Sequence, residues 1–277
     1  MRFAATVLLW LLTTAALAVA VPAAWAQHNI VDVDGYAALA ESAAADPALQ
    51  TAAASELSSK ATALINDHGY RVDSQLVHRI ATAYTAGPAF PPQFAQANRL
   101  AHRWLFNGTQ SGPWVIDLAP MLNDESFQQL LADYHVRVPS TATMPVTVST
   151  PKALQPGKLR PLTTWGPWVS IGAVTLTGIC ALLTLAAARS RGRALASLGV
   201  SALLVGAGGW AAIEIARRRI NVALNHTAGD IRRIADVMVG YAEAGLHHWL
   251  DLTLAAGGAL VVLGVLVAVL GSLWEIR

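Results

Sequence analysis

Residues 165–215 read WGPWVSIGAVTLTGICALLTLAAARSRGRALASLGVSALLVGAGGWAAIEI. Two apolar runs, 165–188 and 194–215, flank Arg189-Ser190-Arg191-Gly192-Arg193. Each run reaches the roughly 20 residues an α-helix needs to cross a hydrocarbon core of about 30 Å. The five-residue connection can therefore only be the turn of a tight helical hairpin. Another apolar run covers 252–274, ahead of Glu275-Ile276-Arg277, and a further one covers 3–26 behind the single Arg2. The fold class that follows is a membrane α-helical protein with about four transmembrane helices.

Composition agrees with that reading. The 277 residues are 54% hydrophobic and only 13% charged, with a mean hydropathy of +0.44, which excludes a disordered chain and argues against an ordinary soluble domain. Lys and Arg number 19 against 17 Asp and Glu. The basic residues are also spread over several regions, so no nucleic-acid partner is expected. Cys180 is the sole cysteine, which leaves no intrachain disulfide or cysteine zinc site; it reads as a small lipid-facing or packed side chain.

The first run ends in Ala24-Trp25-Ala26, an A-x-A pattern that a signal peptidase could cut before Gln27, but the run exceeds the usual apolar region of about 7 to 15 residues. Residues 1–26 are thus a signal anchor or a signal peptide, with the anchor preferred, and either sends the next segment out of the cytoplasm. Trp165, Trp168, Trp210, Trp249 and Trp274 fall at or near span ends, where an indole anchors the wet interface. Loop charge does not choose the orientation. Arg2, Arg189, Arg191, Arg193 and Arg277 on one side balance Arg217, Arg218, Arg219, Arg232 and Arg233 on the other.

Residues 27–163 are long enough for one small extracytoplasmic domain, expected to be α+β. Asp34 caps a short helix through Ala44. Asp46-Pro47 opens a helix to about Asp67 whose buried face is Leu49, Ala53, Leu57, Ala61 and Leu64. Further helices are expected over 72–85, over 93–106 with Phe94, Ala97, Leu100, Ala101 and Trp104 on one side, and over 120–134. Strands over 114–118 and 144–149 should pair into a small sheet under the helices.

Residues 164–215 form the transmembrane hairpin, 216–250 an extracytoplasmic amphipathic loop, and 251–277 the last transmembrane helix with a short cytoplasmic tail. In the loop, a helix starting at Thr227 or Asp230 carries Ile231, Ile234 and Val237 on its apolar face. Arg217, Arg218 and Arg219 are placed to meet anionic lipid headgroups, and Glu214 to pair with Arg217 or Arg218. Gly206, Gly208 and Gly209 would let the third span pack closely on a neighbour.

The chain lacks the common nucleotide-binding, nucleophile-elbow and zinc-protease motifs. Adjacent His247 and His248 point about 100° apart on a helix, so they read as interfacial side chains and not as a metal pair. No catalytic, metal or cofactor-binding residue is assigned, and the reading leans away from an enzyme. His102, Trp104, Trp114 and Asp117 form the candidate ligand or partner surface, Asp117 being a carboxylate between the strand residues Ile116 and Leu118. The spans also lack the deep polar residues and broken helices of a transporter.

The order of Ile30-Val31-Asp32-Val33-Asp34-Gly35-Tyr36, Asp46-Pro47-Ala48-Leu49-Gln50, Ala97-Asn98-Arg99-Leu100-Ala101-His102, Val115-Ile116-Asp117-Leu118-Ala119-Pro120 and an Arg-hinged hairpin resembles a group of uncharacterised integral membrane proteins of actinobacteria, including mycobacteria. The resemblance covers nearly the whole chain. It implies topology and a cell-envelope location, and no catalytic residues. The functional expectation is a non-enzymatic, multi-pass cell-membrane protein, an accessory or scaffolding subunit of an envelope complex whose partners are the bilayer and a membrane or envelope protein. The alternative is a lipid-binding or lipid-processing protein with a site between the domain and the bilayer.

Overall fold

The computed structural model describes residues 2–67, 71–107, 114–117, 128, 129, 132, 145–148, 157–188, 190–224 and 229–275. In chain order they form α1 (Arg2–Ala26), a π turn (Gln27–Val31), α2 (Val33–Ala44), α3 (Pro47–Asp67), α4 (Ser74–Thr85), α5 (Phe90–Asn107), β1 (Trp114–Asp117), β2 (Pro145–Val148), α6 (Arg160–Ala187), α7 (Arg191–Leu224) and α8 (Gly229–Glu275). Four helical stretches are long and apolar enough to cross a membrane: Ala4–Val31, Arg160–Ala187, Arg191–Val222 and Gly229–Gly271. The chain is a multi-pass membrane protein. It divides into two compact units, the first made of Met1–Ile30, Thr164–Ala223 and Glu243–Arg277, the second of Val31–Thr163 and Leu224–Ala242.

The first unit is organised by glycine. Gly192, Gly199 and Gly206 recur every seven residues along α7, and Leu250, Gly257 and Gly264 recur every seven along α8. Residue numbers rise on one helix as they fall on the other: Gly192 faces Gly264 and Ala268, Gly199 faces Gly257 and Val261, and Gly206 faces Leu254. The two helices are therefore antiparallel. A Cβ placed on Gly199 would stand 2.6 Å from the Gly257 carbonyl oxygen, and one on Gly192 would stand 2.5 Å from the Ala268 nitrogen. Backbone meets backbone here, which only residues without a side chain allow in a membrane interface. A seven-residue repeat on both helices keeps the seam facing inward only if they wind left-handedly.

Polar contacts hold α1 to α7. The Trp10 indole N–H donates to the Ser197 carbonyl at 2.9 Å, and the Thr14 hydroxyl donates to Ser201 Oγ at 2.8 Å. Numbers rise together on both helices, so α1 and α7 run parallel. Helix α6 ends three residues before α7 begins, in line with the expected hairpin turn. It buries Ser170, Cys180 and Thr184 and exposes Trp165, Trp168 and a row of aliphatic side chains, so Cys180 is a packed residue.

The second unit has a helical core. Helix α2 packs along α5, and α3 along α4. Ala43, Ala44, Leu49, Ala53, Tyr84 and Phe90 are buried together, joined by Leu57, Phe94 and, from the first turns of α8, Ile234, Val237 and Met238. Strands β1 and β2 pair antiparallel, Trp114 opposite Val148 and Asp117 opposite Pro145. A ribbon of two four-residue strands is not a layer, so the expected α+β domain is corrected to a helical one. Alanine-rich helices supply the core, because small side chains let them approach closely over their whole length.

Several boundaries move for local reasons. Asp32, not Asp34, caps α2; its carboxylate accepts from the Asp34 and Gly35 N–H groups at 3.1 and 2.8 Å. Asp46 does cap the helix beginning at Pro47, accepting from Ala48 N–H at 2.8 Å. Helix α5 starts at Phe90, three residues early, because Pro91 and Pro92 occupy a first turn whose N–H groups need no partner. Of the expected helix 120–134, residues 128, 129 and 132 are described and are helical; the others lie outside the described residues. The expected amphipathic helix and last span are one 47-residue helix, α8, since no glycine or proline breaks the chain between Leu246 and Ala255.

The seam gives a direct prediction. Gly199→Leu should destabilise the detergent-solubilised protein by about 1–3 kcal/mol or more, the cost of overpacking a filled interface. Gly258→Leu, at a position where an added Cβ meets nothing within 4 Å, should melt like the wild type. Thermal melts followed by circular dichroism compare the two.

Candidate functional site

The residues singled out in the sequence go to different places. His102 and Trp104 lie on α5 and are only 5% and 6% exposed. The His102 ring stacks on Phe106 with centroids 4.0 Å apart and tilts against Tyr36 at 5.4 Å. His102 is thus packed between α2 and α5, Trp104 is buried on another face of α5, and neither offers an open surface. Trp114 and Asp117 contribute backbone to β1, and their side chains lie outside the described residues.

Along α5 the row Phe90, Phe94, Asn98, His102 and Phe106, spaced by four, faces inward, with Phe90, His102 and Phe106 buried and Phe94 and Asn98 half-buried, while Leu100 is 39% exposed. The expected face through Leu100 is therefore rotated. Two polar members hide the row from an apolar count, although Asn98 accepts from the Tyr36 hydroxyl at 3.4 Å and donates to the Phe94 carbonyl at 2.9 Å. At the rim, Arg99 pairs with Asp34 at 3.3 Å.

A second polar group joins α3, α4 and α8. Ser58 Oγ donates to the Ser55 carbonyl at 2.9 Å and lies 3.2 Å from His78 Nδ1, while Ser55 Oγ donates to Asp230 Oδ2 at 2.5 Å. The Ser58 proton is directed at a main-chain carbonyl, and the carboxylate serves Ser55 instead of His78. This arrangement ties the first turn of α8 to α3; it does not build an activated serine. Among the described residues no three His, Cys, Asp or Glu side chains converge to hold a metal.

The open feature of the first unit is an apolar groove of about 440 Å³ between α1, α7 and α8. Helix α1 supplies Thr14, Ala18 and Pro22, and α8 supplies Leu246 and Leu250. The floor is α7 from Leu204 to Ala216, where Gly208, Gly209 and Ala212 leave room. Gly209 and Gly206 rest against Leu250 and Leu254, whereas an added Cβ at Gly208 meets nothing within 4 Å. Of the three glycines noted in the sequence, two therefore make a contact within the protein and one faces open space.

Charged side chains collect beyond Ala216, and an aromatic contact lies along the length of the groove floor. Arg218 pairs with Glu214 at 3.7 Å, as expected, but Arg217 crosses to Glu243 on α8 at 3.8 Å. Trp210 stacks on His247 with centroids 3.9 Å apart and donates its indole N–H to Asp251 at 3.2 Å. His247 is thus a packing partner of Trp210. The remaining basic residue, Arg219, is exposed and forms no ion pair among the described residues.

No family model matches this chain, and neither does any curated protein or any solved structure.

Burial in the second unit gives a pH prediction. Removal from water holds the Tyr36 phenol above its ordinary value near 10. A raised acid means that the folded state keeps a proton the unfolded chain releases. This contribution is intact below pH 10 and is lost as pH rises through the Tyr36 value. Melting temperature should fall as pH rises above 10, and Tyr36→Phe should flatten that fall while changing little at pH 7.

Proposed function

We propose that the protein is a non-enzymatic accessory or scaffolding subunit of a cell-envelope complex, with its second unit on the extracytoplasmic side. The observation that carries this reading is the way the chain leaves the first unit. Because α1 runs parallel to α7 and α8 antiparallel to it, the exits at Ile30 and Ala223 and the return at Glu243 all fall at one end of the first unit. The chain between these exits and returns is a helical unit with its own core. Tethers of this kind restrict a domain before it meets a partner, and so reduce the ordering cost of association with another membrane-bound protein.

The opposite end of the first unit carries Arg191 and Arg193 at the start of α7, with no acidic residue nearby in sequence. Loop charge does not decide the side, since Arg217, Arg218 and Arg219 stand at the exit end; the extracytoplasmic side for the exits follows from reading α1 as a signal anchor. The resemblance to actinobacterial envelope proteins points the same way. A second reading, lipid binding, is favoured by one observation, the groove of the first unit, rather than by the His102 and Trp104 positions.

Affinity isolation of the tagged protein from mildly solubilised membranes of its own host tests the first reading. A protein partner in fixed stoichiometry is expected. Recovery of the intact chain alone under several mild extractions would contradict it. Alkaline phosphatase inserted after Gly108 should be active, whereas a reporter that matures only in the cytoplasm should be silent there.

A further inference from the structure

We infer that the groove of the first unit holds one acyl chain of an anionic phospholipid whose headgroup is bound by Arg219. The inference rests on the lipid-binding reading above and names the lipid class and the residue that selects it. Its first support is depth. The groove floor runs from Leu204 to Ala216, about 18 Å of helix at 1.5 Å per residue, which is close to one leaflet of a hydrocarbon core about 30 Å thick. Leu204 lies near the middle of the span Arg191–Val222. In the other half of the span the groove is absent, because Trp10 and Thr14 close α1 onto Ser197 and Ser201 through hydrogen bonds. A partner helix would need a track through both leaflets; a lipid needs only one.

Charge supplies the second support. Gly208, Ala212 and Ala216 recur every four residues along the floor. Arg219 follows eleven residues after Gly208, and at about 100° per residue it returns to within about 20° of the same face. Helical side chains lean back over the turn that precedes them, so Arg219 leans towards the groove mouth. Its neighbours are already engaged, Arg217 by Glu243 and Arg218 by Glu214. Of these three arginines, the one in line with the apolar track is the one without an ion pair among the described residues, which is the arrangement a phosphate above an acyl chain requires.

The test uses the full chain, delipidated in mild detergent and offered equal amounts of phosphatidylglycerol and phosphatidylcholine, with retained lipid counted by native mass spectrometry. Wild type should retain one phosphatidylglycerol with at least five-fold preference. Arg219→Ala should reduce the preference below two-fold while Arg219→Lys keeps most of it and Arg218→Ala keeps all of it. Gly208→Leu, which fills the open floor, should retain neither lipid. Equal retention of the two lipids by wild type would overturn the inference while leaving lipid binding standing, and no retained lipid would remove both. Equal loss of preference in Arg218→Ala and Arg219→Ala would also overturn it. So would unchanged lipid retention by Gly208→Leu together with loss of a co-isolated membrane protein, which would give the groove to a partner helix.

Discussion

At Gly199 the carbonyl oxygen of Gly257 occupies the space where any other residue would carry its Cβ. The same exclusion operates a turn pair away at Gly192 and Gly264, and the rest of the first unit follows from it. Inside a bilayer there is little hydrophobic gain in bringing two helices together, so association depends on van der Waals contact and on how closely backbones can approach. Two helices drawn together along glycine leave their larger residues on the flanks. Leu250 and Leu254 then lie against α7, and α1 is held by the polar contacts of Trp10 and Thr14 with Ser197 and Ser201. The groove lies beside this arrangement, where Ala18, Pro22, Gly208 and Ala212 are too small to fill the space between three helices.

Charge is placed with the same economy. One end of α7 carries Arg191 and Arg193, and the other carries Arg217, Arg218 and Arg219, two of which are neutralised by carboxylates on α7 and α8. Exposed pairs of this kind contribute little stability. Their consequence is directional, because they leave a single uncommitted guanidinium on the face that continues the apolar track. The Trp210, His247 and Asp251 cluster joins α7 to α8 along the length of the groove.

The spans were legible because length and apolarity are properties of short windows. The helix opened by Asp46-Pro47 was legible because a cap and a first-turn proline are local signals. The α7–α8 seam was not read, although its seven-residue glycine spacing is printed in the sequence. Gly206, Gly208 and Gly209 drew notice as a cluster, while the repeat linking Gly192, Gly199 and Gly206 needs the antiparallel partner to give it meaning. The inward row of α5 is hidden beyond Phe94 because Asn98 and His102 interrupt an apolar count, and their placement depends on Tyr36 and Phe106 across and along the helix. Asp32 displaced Asp34 as a cap by two residues, a choice that two similar carboxylates leave to geometry. His102 and Trp104 stand out in the sequence by chemical type and are buried, whereas the groove is lined by residues with no distinctive chemistry at all.

The close approach of α7 and α8 can be measured by cross-linking. An added Cβ at Gly206 lies 2.5 Å from Leu254 Cγ, which places the two Cβ atoms about 4 Å apart or less, within the span of a disulfide. In a Cys180→Ser background, Gly206→Cys with Leu254→Cys should oxidise almost completely to a bridge within one chain, and Gly208→Cys with Leu254→Cys should not. Failure of the first pair to bridge, or bridging only between chains, would contradict the antiparallel glycine seam on which this account rests.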